Sequence, residues 1–363
     1  MHRNGQTIWK GALYLLAISN VGCKETAKPV VQTTPAAQFT APIERLDPAL
    51  DDIIANNATW HLEASGFTWT EGPVWVPPGA LMFADIPSNS IRTIGADGKV
   101  TIWLQPSGYK GSEPYGGKEP GTNGMTLDSI GRLTVAGHAA RNIMRFETMD
   151  PHGVVTVLAD SYQGKPLNSP NDLVYAPDGS VYFTDPPYGL RTQSDTDPDK
   201  KLTVNGVYRI PDAFKQKPGA APQRNKLQLL ISNLPRPNGI AFSPDYKWLY
   251  IGDSGSKKWM RYAVKKDGTV DAGTVFVDAS QPPRRGGPDG MKVDIKGNLY
   301  ASGPGGVWII SPEGKHLGTI LTSKNVANVA WGGDDAMTLY ATVTDSIYSI
   351  RVKIPGLRPW QVK

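Results

Sequence analysis

The chain has 363 residues, which is room for one large all-β domain or two smaller domains. Hydrophobic residues make up 39% of it, and its 39 glycines and 31 prolines suit many short strands joined by tight turns. A formal net charge of +5 gives no basic face for nucleic acid, and a single cysteine excludes an intrachain disulfide.

The first predicted element, residues 1–23, is an export signal. Positively charged Arg3 and Lys10 precede the apolar run GALYLLAISNV, which is too short for a stable membrane anchor. Cys23 directly follows this region and resembles the lipid-modified cysteine of bacterial lipoproteins, although Asn20 stands where an aliphatic residue is usual. Two interpretations stay open, acylation at Cys23 or cleavage nearby with Cys23 incidental. Both predict an exported protein, either periplasmic or anchored to the membrane as a lipoprotein.

Residues 24–45 are rich in Pro, Thr and Ala without an apolar period, and we predict a flexible linker there. The next segment, LDPALDDIIANN, has an N-cap Asp47 and a first-turn Pro48, which predict one short amphipathic helix. The apolar residues of this helix are Leu50, Ile53 and Ile54. The folded domain is expected to span residues 46–363.

One hairpin pattern recurs six times after the helix. Each copy begins with a polar residue and continues as an apolar strand, and in the first five copies a turn follows eight residues after the polar residue. The copies are EGPVWVPPGALMFAD (71–85), NGMTLDSIGRLTVAG (123–137), NDLVYAPDGSVYFTD (171–185), NGIAFSPDYKWLYIGD (238–253), DGMKVDIKGNLYASG (289–303) and NVAWGGDDAMTLYAT (328–342). Repeats of roughly 40–50 residues built only from antiparallel strands are typical of β-propeller blades. We therefore predict an all-β, six-bladed β-propeller with four-stranded blades rather than a β-sandwich with coincidental turn spacing.

The first residues of the six copies are predicted to form a ring. The inner strand of every propeller blade runs along the central channel, and all six inner strands begin at the same end. The ring residues are Glu71, Asn123, Asn171, Asn238, Asp289 and Asn328. Each carries a side-chain oxygen, the ligand that a hard divalent cation such as calcium requires. The alternative is that these residues form Asx-turns with their own backbone, but Glu71 is a poor turn residue.

Four phrases carry a resemblance to a known family. They are EGPVW (71–75), SPNDL (169–173), RPNGIAFSPD (236–245) and GPDGMKVD (287–294). In this order they resemble the gluconolactonase/regucalcin (SMP-30/gluconolactonase/LRE-like) family of six-bladed β-propellers. A further phrase, FTDPPYGL (183–190), resembles the bacterial secreted members.

The resemblance implies a metal site and a reaction. The family's divalent cation, usually calcium, would be held by Glu71, Asn171, Asn238 and Asp289. The expected activity is metal-dependent hydrolysis of a sugar lactone such as gluconolactone, a carboxylic ester. One departure leaves the exact lactone open, because Ser169 stands where the animal members have an arginine that contacts the substrate.

Several residues are candidates for the chemistry. A cation with an open coordination position can polarise a lactone carbonyl while water attacks. Asp289 resembles the ligand aspartate that the family is proposed to use as general base. Because a metal-bound carboxylate is a weak base, a second group is expected to assist it. The second catalytic candidate is His138, for which a structural histidine on a loop is the alternative. Candidates for substrate contact are Asn123, Asn171 and, on the inserted loop 186–201, Tyr188.

Other features have simpler interpretations or leave alternatives. Three aspartates lie opposite ring residues: Asp85, Asp185 and Asp253. They either orient metal ligands or accept backbone hydrogen bonds, and the second role is the expected one. The stretch GDSGS (252–256) imitates a serine-protease loop but falls within a propeller repeat. Two other functions remain open, a phosphotriesterase-like hydrolase and a non-enzymatic surface-binding propeller with a structural calcium.

Overall fold

The computed structural model describes Met1 and residues 38–40, 42–281 and 284–358. Those from Gln38 onward belong to one unit, Thr33–Lys363. The predicted signal segment beyond Met1, Cys23 and positions 24–37 of the predicted linker lie outside the described residues.

The described residues contain 28 β-strands and three short 3₁₀ helices. The strands are β1 (Gln38–Thr40), β2 (Ile43–Arg45), β3 (Thr59–Ser65), β4 (Thr70–Val76), β5 (Ala80–Asp85), β6 (Ser90–Ile94), β7 (Val100–Leu104), β8 (Met125–Leu127), β9 (Leu133–Gly137), β10 (Asn142–Phe146), β11 (Val155–Ala159), β12 (Ser161–Tyr162), β13 (Lys165–Pro166), β14 (Leu173–Tyr175), β15 (Val181–Asp185), β16 (Gly206–Ile210), β17 (Gln228–Ile231), β18 (Pro237–Phe242), β19 (Trp248–Asp253), β20 (Lys258–Ala263), β21 (Thr274–Asp278), β22 (Met291–Val293), β23 (Leu299–Gly303), β24 (Gly306–Ile310), β25 (His316–Leu321), β26 (Val326–Gly332), β27 (Thr338–Val343) and β28 (Ser346–Arg351). The helices are Pro48–Asp52, Ala213–Lys215 and Arg224–Lys226. None of these helices has the length and apolar character needed to cross a membrane.

Six antiparallel sheets form the blades of a β-propeller, as predicted. Blade 1 is β4–β7, blade 2 β8–β11, blade 3 β14–β17, blade 4 β18–β21, blade 5 β22–β25, and blade 6 β26–β28 with β3. The inner strands β4, β8, β14, β18, β22 and β26 contact one another in a closed circle. Because β3 precedes blade 1 in sequence but pairs with β28, blade 6 joins the two ends of the propeller and holds the circle closed.

Two strands lie where the linker was predicted. The strand β2 pairs with β25 at the outer edge of blade 5, and β1 pairs with β3 in blade 6. The boundary predicted at residue 46 is therefore wrong, since the sheets already include Gln38–Thr40 and Ile43–Arg45. Segments of three residues are too short to show an apolar period, and their partners are remote in sequence.

The predicted short helix is present as Pro48–Asp52. Asp47 caps it, because Asp47 Oδ1 accepts a hydrogen bond from Ala49 N at 2.9 Å. Leu50 of this helix is buried in a cluster shared with blades 5 and 6, together with Ile53 and Ile54, which directly follow the helix.

The hydrophobic core lies between neighbouring blades. One cluster joins Val207 of blade 3 to Ile240 and Ile251 of blade 4, and similar clusters fill the other interfaces. A blade is therefore covered on both faces, and every residue of β9, β15 and β23 is buried. The channel end opposite the predicted ring is mainly apolar, with Trp75 and Trp331 in its wall.

Candidate active site

The starts of the inner strands place the predicted ring residues at one end of the channel. Neighbouring blades meet there at backbone distance, since Gly124 N of blade 2 donates to Asn171 O of blade 3 at 2.7 Å. A Cβ atom on Gly72 would lie only 2.1 Å from Asn123 O. Such approaches require glycine, which directly follows the ring residue in four blades: Gly72, Gly124, Gly239 and Gly290. The ring residues brought to this mouth are Glu71, Asn123, Asn171, Asn238 and Asp289.

The sixth ring position is Ala327, and the prediction of Asn328 there is wrong. Gly290 N donates to Ala327 O at 2.8 Å, as Gly124 N does to the ring residue of blade 3. Asn328 Oδ1 accepts the N–H of Val329 at 2.9 Å, so Asn328 turns its amide nitrogen, rather than its oxygen, into the channel. Four other copies begin with a polar residue followed by glycine, whereas the sixth has Ala327 followed by Asn328. Asn328 is therefore the first polar residue of this copy.

Asp172 is a buried channel carboxylate that the sequence analysis missed. It occupies the position that glycine holds in four blades, one residue after Asn171. Its Oδ1 accepts the N–H of Leu173 at 2.9 Å, and its Oδ2 lies 3.4 Å from Asn328 Nδ2. The signal was present in the sequence, because Asp172 stands at a position where four of the other five blades have glycine.

The carboxylates at this mouth destabilise one another. Burial raises the pKa of Glu71 to about 7, and the charges of Asp172 and Glu119 add to the shift. Burial also holds the pKa of Asp289 well above its usual range, and Glu71 is the next largest cause. Anions enclosed in this way favour their neutral forms unless a cation lies among them.

The ring fits a divalent cation. Three of its oxygens are buried without a hydrogen-bond partner: Asn123 Oδ1, Asn238 Oδ1 and Asp289 Oδ1. A buried oxygen without a partner costs about 1–3 kcal/mol, so such oxygens mark places where an ion or water binds. Among the described residues no three His, Cys, Asp or Glu side chains cluster closely enough to hold a metal ion. A site here must therefore include the amide oxygens, which calcium accepts readily.

The three aspartates opposite ring residues accept backbone hydrogen bonds, as expected from the sequence. They are Asp85, Asp185 and Asp253. Asp185 receives the N–H groups of Asn168 and Ser169, both at 2.8 Å. This holds the segment that leads into Asn171. Ser169 also has its hydroxyl occupied, because it donates to Pro186 O and accepts the N–H of Gly189, and so it anchors the inserted loop.

His138 lies at the same end of the channel and is fully buried. Its Nδ1 is 3.0 Å from Pro170 O, and its Nε2 is 2.8 Å from Glu119 Oε2. Glu119 belongs to the loop between β7 and β8, and its Oε1 accepts a hydrogen bond from Gln193 Nε2 at 2.9 Å. Two loops thus meet over His138. The sequence analysis missed Glu119, because its Gly- and Pro-rich loop has no register with the repeats.

Tyr188 lies beside a cavity at this mouth. Its hydroxyl is 2.7 Å from Ser254 Oγ, and the Arg236 guanidinium stands 5.4 Å from the centre of its ring. The cavity has a volume of about 230 Å³, and its wall includes Trp69, Ser254, Lys257, Asp289 and Asn325. The second contact of the Ser254 hydroxyl is the Arg236 carbonyl, so GDSGS forms no Ser–His pair in the described structure.

Comparison with known proteins covers the part of the chain that carries this geometry. The model of the SMP-30/gluconolactonase/LRE-like region matches residues 69–345. The chain belongs to the SMP-30/gluconolactonase/LRE-like family. A gluconolactonase of Zymomonas mobilis is 36% identical to it over 326 residues, which is 86% of this chain and 87% of the relative.

Several solved structures share the fold. A putative gluconolactonase superposes with a TM-score of 0.74 at 31% identity, covering 87% of this chain and 100% of its own. A gluconolactonase from Xanthomonas campestris gives 0.73 at 30% identity, covering 90% and 99%. A calcium-binding regucalcin from Agrobacterium tumefaciens gives 0.62 at 18% identity, covering 88% and 97%, and is similar in fold. The family predicted from the four phrases is confirmed.

Proposed function

We propose that this protein hydrolyses a sugar lactone with the help of a divalent cation, for which calcium is the first choice. The cation would be held by Glu71, Asn171, Asn238 and Asp289. The observation that carries the proposal is the cluster of carboxylates with raised pKa values beside three oxygens without partners, at an open channel mouth. The gluconolactonase relatives support a sugar lactone as substrate.

The cation, when bound, would polarise the lactone carbonyl and stabilise the oxyanion that forms there. Asp289 faces the cavity of about 230 Å³ and is the first candidate to take the proton of the attacking water. Trp69 lies in the wall of the same cavity, and an aromatic side chain there would provide an apolar surface for the sugar ring.

Sugar hydroxyls need hydrogen-bond partners at the mouth. Asn123 Oδ1 is buried without a partner and can accept from one of them, and Asn171 is its neighbour in the ring. The hydroxyls of Tyr188 and Ser254 form a second group, in which Ser254 lies in the cavity wall and Tyr188 is hydrogen-bonded to it. A purely structural ion needs no such cavity, and this supports an enzyme over a surface-binding propeller.

The experiment is the hydrolysis of gluconolactone by the purified protein, followed by release of acid at constant pH. We expect turnover that is lost on chelation and restored by calcium, and single additions of magnesium, manganese and zinc would rank the metals. Asp289→Asn is expected to lower kcat about 100-fold or more. The control is Asp245→Asn, a side chain that bonds Ser243 in the outer turn of the blade 4 hairpin. Turnover that is indifferent to chelator, or unchanged in Asp289→Asn, would instead support the binding propeller.

A further inference from the structure

A proton lies between His138 and Glu119. A carbonyl oxygen is only an acceptor, so the contact of Nδ1 with Pro170 O at 3.0 Å requires a hydrogen on Nδ1. An ionised carboxylate is also only an acceptor, so the 2.8 Å contact of Nε2 with Glu119 Oε2 requires a second hydrogen between these two atoms. Both contacts are satisfied at once when the pair holds one proton more than a neutral imidazole and a carboxylate hold together.

Glu119 is the accessible member of this pair. The His138 side chain is 0% exposed, whereas that of Glu119 is 21% exposed. The charge of Glu119 adds to the raised pKa of both Glu71 and Asp289. Gln193 fixes the other carboxyl oxygen at 2.9 Å. Because His138 is fully buried, Glu119 is the member of the pair that a ligand can contact.

We propose that Glu119 is the general acid of lactone opening and that His138 is a positioning residue that shares its proton. This rests on the lactone hydrolysis proposed above. The oxygen of water bonds to the carbonyl carbon, and the water gives up one proton. The bond from that carbon to the ring oxygen breaks, its electron pair stays on the ring oxygen, and the proton of the pair goes to that oxygen. The product is the open hydroxy acid, and the pair regains the proton that the water released.

The arrangement explains why Glu119 has a proton to give. A free carboxylate at neutral pH is almost fully ionised and is a poor general acid. After the transfer, the lone pair of His138 Nε2 would face the Glu119 carboxylate, which places two acceptors in contact. This repulsion returns a proton to the pair before the next turnover.

The test is Glu119→Gln, whose amide can donate to Nε2 of a neutral His138, so that the contact survives without the extra proton. We expect kcat for gluconolactone to fall about 100-fold and KM to change less than about threefold. Glu119→Asp keeps a carboxyl group, and its kcat should be about tenfold higher than that of Glu119→Gln. The matched control is Glu113→Gln on the same loop, because Glu113 is exposed and makes no hydrogen bond or ion pair with any described residue.

A second readout does not depend on turnover. Proton NMR of the metal-free wild type should show two hydrogen-bonded imidazole protons at His138, and Glu119→Gln should show only the one on Nδ1. The chain has five histidines, so His138→Asn serves for assignment. Absence of the second proton in the wild type, or an unchanged kcat in a folded Glu119→Gln protein, would overturn the role of Glu119. A wild type that opens no lactone would instead refute the proposed function, and the NMR result would still report on the pair.

Discussion

Asn328 Nδ2 lies 3.4 Å from Asp172 Oδ2, although the two residues belong to blades 6 and 3 on opposite sides of the channel. Asn328 also bonds the Glu71 carboxylate, and this bond opposes the rise in the pKa of Glu71. One amide thus lies between two mutually repelling carboxylates, and one of these, Glu71, is a predicted metal ligand.

Removing this amide should destabilise the propeller. In Asn328→Ala, Asp172 and Glu71 lose a shared donor, and we expect the free energy of unfolding to fall by about 1–3 kcal/mol. Urea unfolding of the metal-free protein measures this. Asn57→Ala, at an exposed position, should change it by less than about 0.5 kcal/mol. Equal values for the two variants would show that the amide contributes nothing.

Loss of a ring amide should weaken the metal without unfolding the protein. Asn171→Ala and Asn238→Ala each remove one neutral oxygen, and we expect the Kd for calcium to rise about tenfold or more. Calorimetric titration gives the Kd, and the calcium-dependent increase in Tm provides a check through mass action. A calcium affinity equal to the wild type in both variants would remove these amides from the ligand set.

Asp185 should make stability depend on pH. Burial raises its pKa from 3.8 to about 7 in the folded protein. Below 3.8 the carboxyl group is neutral in both states, and between 3.8 and about 7 the unfolded chain loses the proton that the folded protein keeps. The free energy of unfolding therefore falls as the pH rises through this window. In Asp185→Asn the fall should be smaller, whereas the exposed Asp150→Asn should match the wild type, as urea unfolding at several pH values would show.

The hydroxyl of Tyr188 should contribute to substrate binding. Tyr188→Phe removes the partner of Ser254 at the cavity wall, and a lost hydrogen bond of about 1 kcal/mol predicts a KM for gluconolactone raised about fivefold with little change in kcat. Tyr246→Phe is the control, because Tyr246 lies at the opposite end of the channel. If both variants have the KM of the wild type, Tyr188 does not contact the substrate.

The export proposal concerns the N-terminus. If Cys23 is acylated, mass spectrometry of the mature protein should find a lipid on an N-terminal Cys23, and Cys23→Ala should move the protein out of the membrane fraction. A mature N-terminus that begins elsewhere without a lipid would favour a cleaved signal peptide and a periplasmic protein.

The sequence by itself determined the propeller and most of its ring. A β-hairpin is a local structure, so six copies of one pattern also repeat the register of the polar residue that opens each copy. Five of the six ring positions followed from that register, from Glu71 to Asp289. The register failed in blade 6, where Ala327 stands in place of a polar residue. It also did not identify Asp172, because the register concerns only the first residue of each copy and not the residue that follows it.

Only the tertiary structure decided which side chains meet across blades and loops. Glu119 reaches His138 from a loop without periodicity, and Asn328 reaches Asp172 across the channel. The strands Gln38–Thr40 and Ile43–Arg45 likewise pair with segments far along the chain. Such pairings depend on where the closed circle of blades brings distant segments, and no local pattern encodes that distance.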